Sequence, residues 1–146
     1  MITYTTSLEG ISPDKLKGFF VGWQNPPWPE THMKLLENSS HVVLAIDDEK
    51  DRVAGFVTAM CDHVLSASIP FLEVLPEYRG HGVGEELVRR ILDEIGDLYM
   101  VDFVCHPNMQ PFYTRLGMRP STGMMRRNVQ HQKGPGSQGE RDGTQL

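Results

Sequence analysis

The residues with the clearest chemical potential form one run in this 146-residue chain, Arg79-Gly80-His81-Gly82-Val83-Gly84. It follows the apolar stretch Leu72 to Leu75 and opens directly into an amphipathic segment. Glycine adopts backbone conformations closed to other residues and lets another molecule approach the main chain. The first turn of a helix carries N–H groups without partners and the positive end of the helix dipole. A glycine turn feeding a helix is therefore an anion cradle, suited above all to phosphate. The spacing excludes two common phosphate loops. No Lys follows the glycines, as G-x-x-x-x-G-K-[ST] requires, and the third glycine comes one residue too early for G-x-G-x-x-G.

Other reactive side chains lie nearby in sequence. Glu73 precedes the loop, flanked by Leu72 and Val74, and its carboxylate could accept a proton or hold an amine. Asp62 and His63 end the preceding apolar segment, and histidine is suited to proton transfer near neutral pH. The segment Val21–Pro29 reads V-G-W-Q-N-P-P-W-P. Its prolines forbid a regular helix. Trp23 and Trp28 then either plug the core between two helices or form the aromatic wall of an acceptor pocket, with His63 a further contact on that substrate side. Cys61-x-His63 and Cys105-His106 carry zinc-ligand residue types. Strand directions put the two pairs at opposite ends of a sheet, more than ~20 Å apart, so no metal is expected.

Two phrases match a known family. Arg79, Gly82 and Gly84 fit R-x-x-G-x-G/A and follow L-P-E-Y-R-G, while P-F-Y-T-R-L-G-M is similar to F-Y-x-x-x-G-F. Together they resemble the GNAT superfamily of acetyl-CoA-dependent N-acetyltransferases, in a small stand-alone branch whose motifs do not declare a substrate. The resemblance implies an α/β fold with a mixed, twisted central sheet split between its fourth and fifth strands, and about four helices. It implies that the loop amides hold the CoA pyrophosphate, with cofactor contacts over Leu72, Val74, Leu75, Arg79, Gly80, His81, Gly82, Val83, Gly84 and Tyr113. It makes Tyr113 the acid that protonates the departing CoA sulfur, and gives a backbone N–H between Leu72 and Val74 to the acetyl carbonyl. An Asn that contacts CoA in relatives is not carried over, because Cys105-His106-Pro107 fills that neighbourhood and Asn108 is shifted. The base of some relatives maps near Ser68 to Pro70, where no carboxylate occurs; Glu73, His63 or a water relay remain. The implied reaction is direct transfer, in a ternary complex, from acetyl-CoA to a primary amine on a small molecule. A protein or peptide acceptor, or a non-catalytic acyl-CoA-binding module, are the alternatives.

Composition sets the frame for these residues. The length suits one domain with a real core. A net charge of −5 argues against nucleic acid or an anionic membrane as partner. No apolar run could span a bilayer, Met1-Ile2-Thr3-Tyr4 lacks signal-peptide character, and two cysteines suit a reducing compartment, so a cytoplasmic location is expected. Dimers are frequent in the superfamily, which leaves a homodimer open.

The elements that must position the site follow from periodicity and breakers. Met1–Leu8 alternates as a strand, and Ser12-Pro13 starts a helix through about Phe20. Thr31 caps a helix over 32–38. His41–Ile46 and Arg52–Met60 form a hairpin, and a third strand runs from Ser66 to Leu75, where Pro70 predicts a bulge. Val83, Leu87, Val88, Ile91, Leu92 and Ile95 make one apolar helical stripe. Leu98–Cys105 reads as a parallel strand covered on both faces, reached by a right-handed crossover. Asn108–Leu116 is a helix ending at Gly117, and Met118–Asn128 is expected as a closing hairpin that sends Met124 and Met125 into the core. The domain thus covers 1–128, and 129–146 reads as a disordered tail.

Overall fold

The computed structural model describes residues 1–135. Five strands form one sheet in sequence order: β1 (Ile2–Thr5), β2 (His41–Asp47), β3 (Arg52–Cys61), β4 (Ser66–Val74) and β5 (Met100–Asp102). The first four are antiparallel neighbours, and β5 runs parallel to β4. Three α-helices, α1 (Pro29–Glu37), α2 (Val83–Ile95) and α3 (Gln110–Thr114), and short 3-10 turns complete the chain. The mixed, split sheet inferred from the motifs is therefore the observed one.

The two faces of the sheet carry separate cores. Val43, Ala45, Val57, Ala59, Ala67 and Ile69 pack against the α2 stripe Val83, Leu87, Ile91 and Ile95. On the other face Val42, Leu44 and Phe56 pack against Leu16, Phe19, Phe20 and Leu36. The alternation along β2 supplies both layers from one strand. Gly55 is needed where β3, β4 and α2 converge. A Cβ there would lie 3.1 Å from the Glu73 carbonyl oxygen and 3.1 Å from Leu87 Cδ1.

Several local expectations fail for identifiable reasons. Ser12-Pro13 does start a helical turn, but only the 3-10 turn Pro13–Leu16 forms, since Lys17 is extended and Gly18 has φ of 94°. Helix α1 begins at Pro29 with Trp28 at the N-cap, because proline is pre-shaped for the first helical position, so Thr31 lies inside it. The β5 strand covers only Met100–Asp102, and it is not buried on both faces: Tyr99 and Val104 are exposed. No strand forms over 118–128, where Pro120 and Gly123 interrupt alternation, and Met124 is 96% exposed. With no closing hairpin beside it, the apolar run 98–105 keeps one side uncovered. Residues 129–135, read from composition as the start of a disordered tail, contain the 3-10 turn Val129–His131; residues 136–146 lie outside the described residues.

Candidate active site

The glycine loop has the geometry of an anion cradle. Gly80 and Gly82 have φ of 82° and 83°, values that cost an L side chain roughly 1–2 kcal/mol. Gly82 is the N-cap of α2, no side chain caps that helix, and its first backbone bond runs from the Glu86 N–H to the Gly82 carbonyl at 3.1 Å. The N–H groups of Val83, Gly84 and Glu85 are thus left without helical partners. A Cβ on Gly80 or Gly82 would meet nothing within 4 Å, so the space above the loop is open to a ligand. Arg79 lies at the rim, its Nε donating to the Val74 carbonyl at 2.8 Å. His81 is exposed beside it, whereas Leu75 and Val83 turn their side chains into the core and offer the loop only backbone.

Beside the loop the sheet opens. The β4–β5 ladder holds only Ser66–Met100, Ala67–Val101 and Ser68–Asp102, and the strands then part. Pro70 lies just past this point and is exposed; its missing N–H suits an edge. Against β3, Phe71 pairs with Thr58 but Ser68 with Met60, so β4 spends three residues where β3 spends two. This bulge reverses the phase of the strand. Ala67 and Ile69 face α2 before it, Leu72 and Val74 after it, and Phe71 joins the opposite core with Phe20 and Phe56. The Leu75 N–H bonds to the Ala54 carbonyl at 2.9 Å. By the alternation of an antiparallel ladder, the backbone groups of Leu72 and Val74 then point away from β3 into the opening.

The same phase change puts Glu73 under the Val21–Pro29 loop. Its carboxylate accepts the N–H of Phe20 at 2.8 Å and of Val21 at 3.2 Å. Phe20 has φ of 64°, a left-handed conformation rare for an aromatic residue. Glu73 thereby holds in place a backbone turn that would otherwise relax. Trp23 stacks on this turn, with ring centroids 4.9 Å from Phe20 and 6.3 Å from Phe71, and remains 37% exposed. It is neither a core plug nor fully solvated; it forms a lip over Phe20 and Phe71. Trp28 is more exposed, with Lys133 Nζ 6.0 Å from its ring centre. The loop is tied from outside as well: the Asn25 N–H donates to Gln132 Oε1 at 2.7 Å and Asn25 Nδ2 to the Val129 carbonyl at 3.1 Å. Sequence reading did not single out Phe20, Phe71, Asn25 or Gly55. The first two carry no motif, since a phenylalanine in a core stripe looks alike whether or not a site adjoins it.

Tyr113, on α3, is buried, its ring packed 4.5 Å from Phe103 and 5.0 Å from Phe112. Burial, with a smaller contribution from Cys105, pushes its phenol up to about 12. It therefore remains a neutral O–H donor throughout the physiological range. The remaining candidates are dispersed. Cys61 pairs with Ala67 and Phe56 with Glu73, so five strand residues, about 17 Å, separate the levels of His63's turn and Glu73. Cys105 and His106 are exposed beyond β5. A depression of about 530 Å³ lined by Tyr4, Val43, Glu86, Arg90, Asp93 and Glu94 lies between α2 and the β1–β2 side of the sheet, and it holds none of these groups. Among the described residues no helix is long and apolar enough to cross a membrane.

Comparison with known proteins adds an independent line. Residues 8–118 match the model of the Acetyltransferase (GNAT) family. A crystal structure of a candidate acetyltransferase from Deinococcus radiodurans R1 is similar with 46% identity and a TM-score of 0.90, over 93% of this chain and 94% of that one. A GNAT family protein of Streptococcus pneumoniae TIGR4 is 27% identical with a TM-score of 0.68, over 88% and 98%. Glucosamine-6-phosphate N-acetyltransferase from Arabidopsis thaliana shares the fold at 14% identity and a TM-score of 0.67, over 88% and 98%. An uncharacterized N-acetyltransferase of Pyropia yezoensis is 25% identical over 101 residues, 66% of this chain. The match spans 58% of that relative's length.

Proposed function

Because the chain belongs to the GNAT acetyltransferase family, we propose that it transfers an acetyl group from acetyl-CoA to the primary amine of a small, cationic molecule. One observation carries this reading. The bulge at Pro70 aligns, on a single strand, backbone groups facing the sheet opening and a carboxylate facing an aromatic loop, next to an uncapped glycine-led helix. Acetyl-CoA, as substrate, supplies a thioester carbonyl open to attack and a pyrophosphate to anchor it.

The chain's own groups divide the work. The free N–H groups of Val83, Gly84 and Glu85, with the α2 dipole and the Arg79 charge, bind the pyrophosphate oxygens. The outward N–H of Leu72 or Val74 polarises the acetyl carbonyl, a preorganised donor of the oxyanion-hole kind. Glu73 positions the acceptor. Each carboxylate oxygen has two lone-pair directions, and the Phe20 and Val21 amides use one apiece, so an ammonium can still be held. The Trp23 and Phe71 rings supply faces that attract a cation. An alkylamine titrates near ~10.4, and its proton leaves to water through the open side of the site, with Glu73 steering the relay. His63, in the turn before β4, lies too far from Glu73 to share this task, and His81 contributes at the loop rim.

Tyr113 assists the departing sulfur. A phenol at about 12 is a weaker acid than an ordinary thiol near ~8.5. Complete proton transfer from Tyr113 is uphill, and its role is hydrogen-bond donation to the developing thiolate. The test is release of CoA thiol from acetyl-CoA across a panel of diamines, polyamines, amino sugars and peptides. Turnover confined to small amines supports the proposal. Turnover with peptides alone would replace the acceptor class, and firm CoA binding without turnover on any amine would point to a binding module.

A further inference from the structure

The end of the sheet away from the glycine loop carries a second cluster that acetyl transfer does not use. His41 opens β2, Cys61 closes β3, and His63 lies in the turn to β4. Their ligand atoms all fall within 4.8 Å of one another. The sequence pairing of Cys61-His63 with Cys105-His106 is not the one the fold makes; β2 brings in His41 instead. We propose that His41, Cys61 and His63 form a site for a thiophilic divalent metal ion of the Zn²⁺ class.

The distances fit such an ion. With Zn–S near ~2.3 Å and Zn–N near ~2.0–2.1 Å, the tetrahedral S···N edge is about 3.6 Å. Cys61 Sγ is 3.7 Å from His63 Nδ1, so two ligands already stand at metal-binding separation. His41 closes the remaining gap by rotating its ring. Its Nε2 is shut from solvent with no hydrogen-bond partner, a costly state for an imidazole nitrogen that a reorganised, metal-bound ring would relieve.

The surroundings hold the ligands in place. Asp62 Oδ1 accepts the N–H groups of Val64, Leu65 and Ser66 at 2.8, 2.8 and 3.0 Å, and Oδ2 accepts the Ser66 hydroxyl. This fixes the turn and leaves His63 at φ of 64°, which folds it back toward Cys61. The His63 N–H donates to Cys61 Sγ at 3.1 Å, as expected of a donor supporting a metal thiolate. The Cys61 N–H donates to Ser40 Oγ at 2.9 Å, tying β3 to the residue before His41. On binding, the Cys61 thiol proton leaves to bulk water. His63 is exposed, so a water completes the fourth position. The ion would staple β2 to the β3–β4 turn.

The test uses the untagged full-length chain carrying Cys105→Ser, titrated anaerobically with Co²⁺ and then Zn²⁺. A single equivalent of Co²⁺ should give four-coordinate visible bands and a thiolate-to-metal charge-transfer band, both erased by Zn²⁺. Cys61→Ser should abolish the charge-transfer band. His63→Ala, at an exposed position where folding is not at stake, should weaken binding more than about tenfold, as should His41→Asn, with circular dichroism checking its fold. A spectrum without the thiolate band, or one unchanged by Cys61→Ser and His63→Ala, overturns the proposal.

Discussion

Replacing Tyr113 by Phe separates chemistry from packing at one atom. The ring is buried against Phe103 and Phe112 and the phenylalanine ring keeps those contacts, while the hydroxyl has no hydrogen-bond partner among the described residues. Stability near neutral pH should therefore change by less than about 0.5 kcal/mol. The catalytic cost is that of one hydrogen bond to a charged leaving group, about 1.5–3 kcal/mol. At 1.36 kcal/mol per decade this is a fall in kcat of about 10- to 150-fold, with KM for acetyl-CoA little altered. A second readout comes from alkaline unfolding. The folded phenol is held at about 12 against an ordinary 10, so stability is unaffected by its ionisation below pH 10 and is lost as pH rises from 10 through 12. Two units correspond to about 2.7 kcal/mol, and Tyr113→Phe should flatten the denaturant midpoint over that window. Stopped-detection thiol release at saturating amine, with urea titrations at pH 7 and 11, measures both. An unchanged kcat with unchanged stability would refute the role assigned to the hydroxyl.

Further perturbations probe the remaining parts. Gly82→Ala should cost roughly 1–2 kcal/mol from its positive φ and raise KM for acetyl-CoA more than about tenfold, because the added methyl projects into the open cradle; Gly84→Ala, whose Cβ would make only ordinary contacts of 3.7 and 3.8 Å with Val74 and Phe112, should be nearly neutral in a thermal melt. Glu73→Ala leaves the Phe20 and Val21 N–H groups unpaired and should raise the acceptor KM and lower kcat, with Glu73→Gln intermediate since one carbonyl oxygen remains; equal activity of all three would remove Glu73 from the site. His32 is buried against Phe19, Phe20 and Phe56 with neither ring nitrogen bonded, and burial lowers its pKa to about 4. Its contribution is complete above pH 6.5 and is lost as pH falls toward 4, about 3 kcal/mol in all; His32→Leu should flatten urea midpoints across that interval. Truncation after Asn128 removes both anchors of Asn25 and should raise the acceptor KM while leaving KM for acetyl-CoA unchanged.

Short-range chemistry made part of this protein legible from its sequence. The strand, glycine turn and helix from Leu72 to Ile95 were readable because turn geometry, helix start and apolar stripe are all local, and the split of the sheet followed from the motifs that those residues carry. Pro70 announced the break in the ladder because a missing N–H cannot sit in a regular, fully paired strand. What the bulge does was not legible. Whether Glu73 faces α2 or the aromatic loop depends on a one-residue register count between β3 and β4, and only pairing of the two strands fixes that count. The hairpin expected over 118–128 fails for a local reason instead, since Pro120 and Gly123 break the alternation a strand needs. Trp23 became a lip rather than a plug through its contacts with Phe20 and Phe71, 51 residues apart in the chain. His41 met Cys61 and His63 only because β2 and β3 are antiparallel neighbours. Sequence determines local conformation, including the glycine-led start of α2; long-range register decides which side chains meet across the sheet.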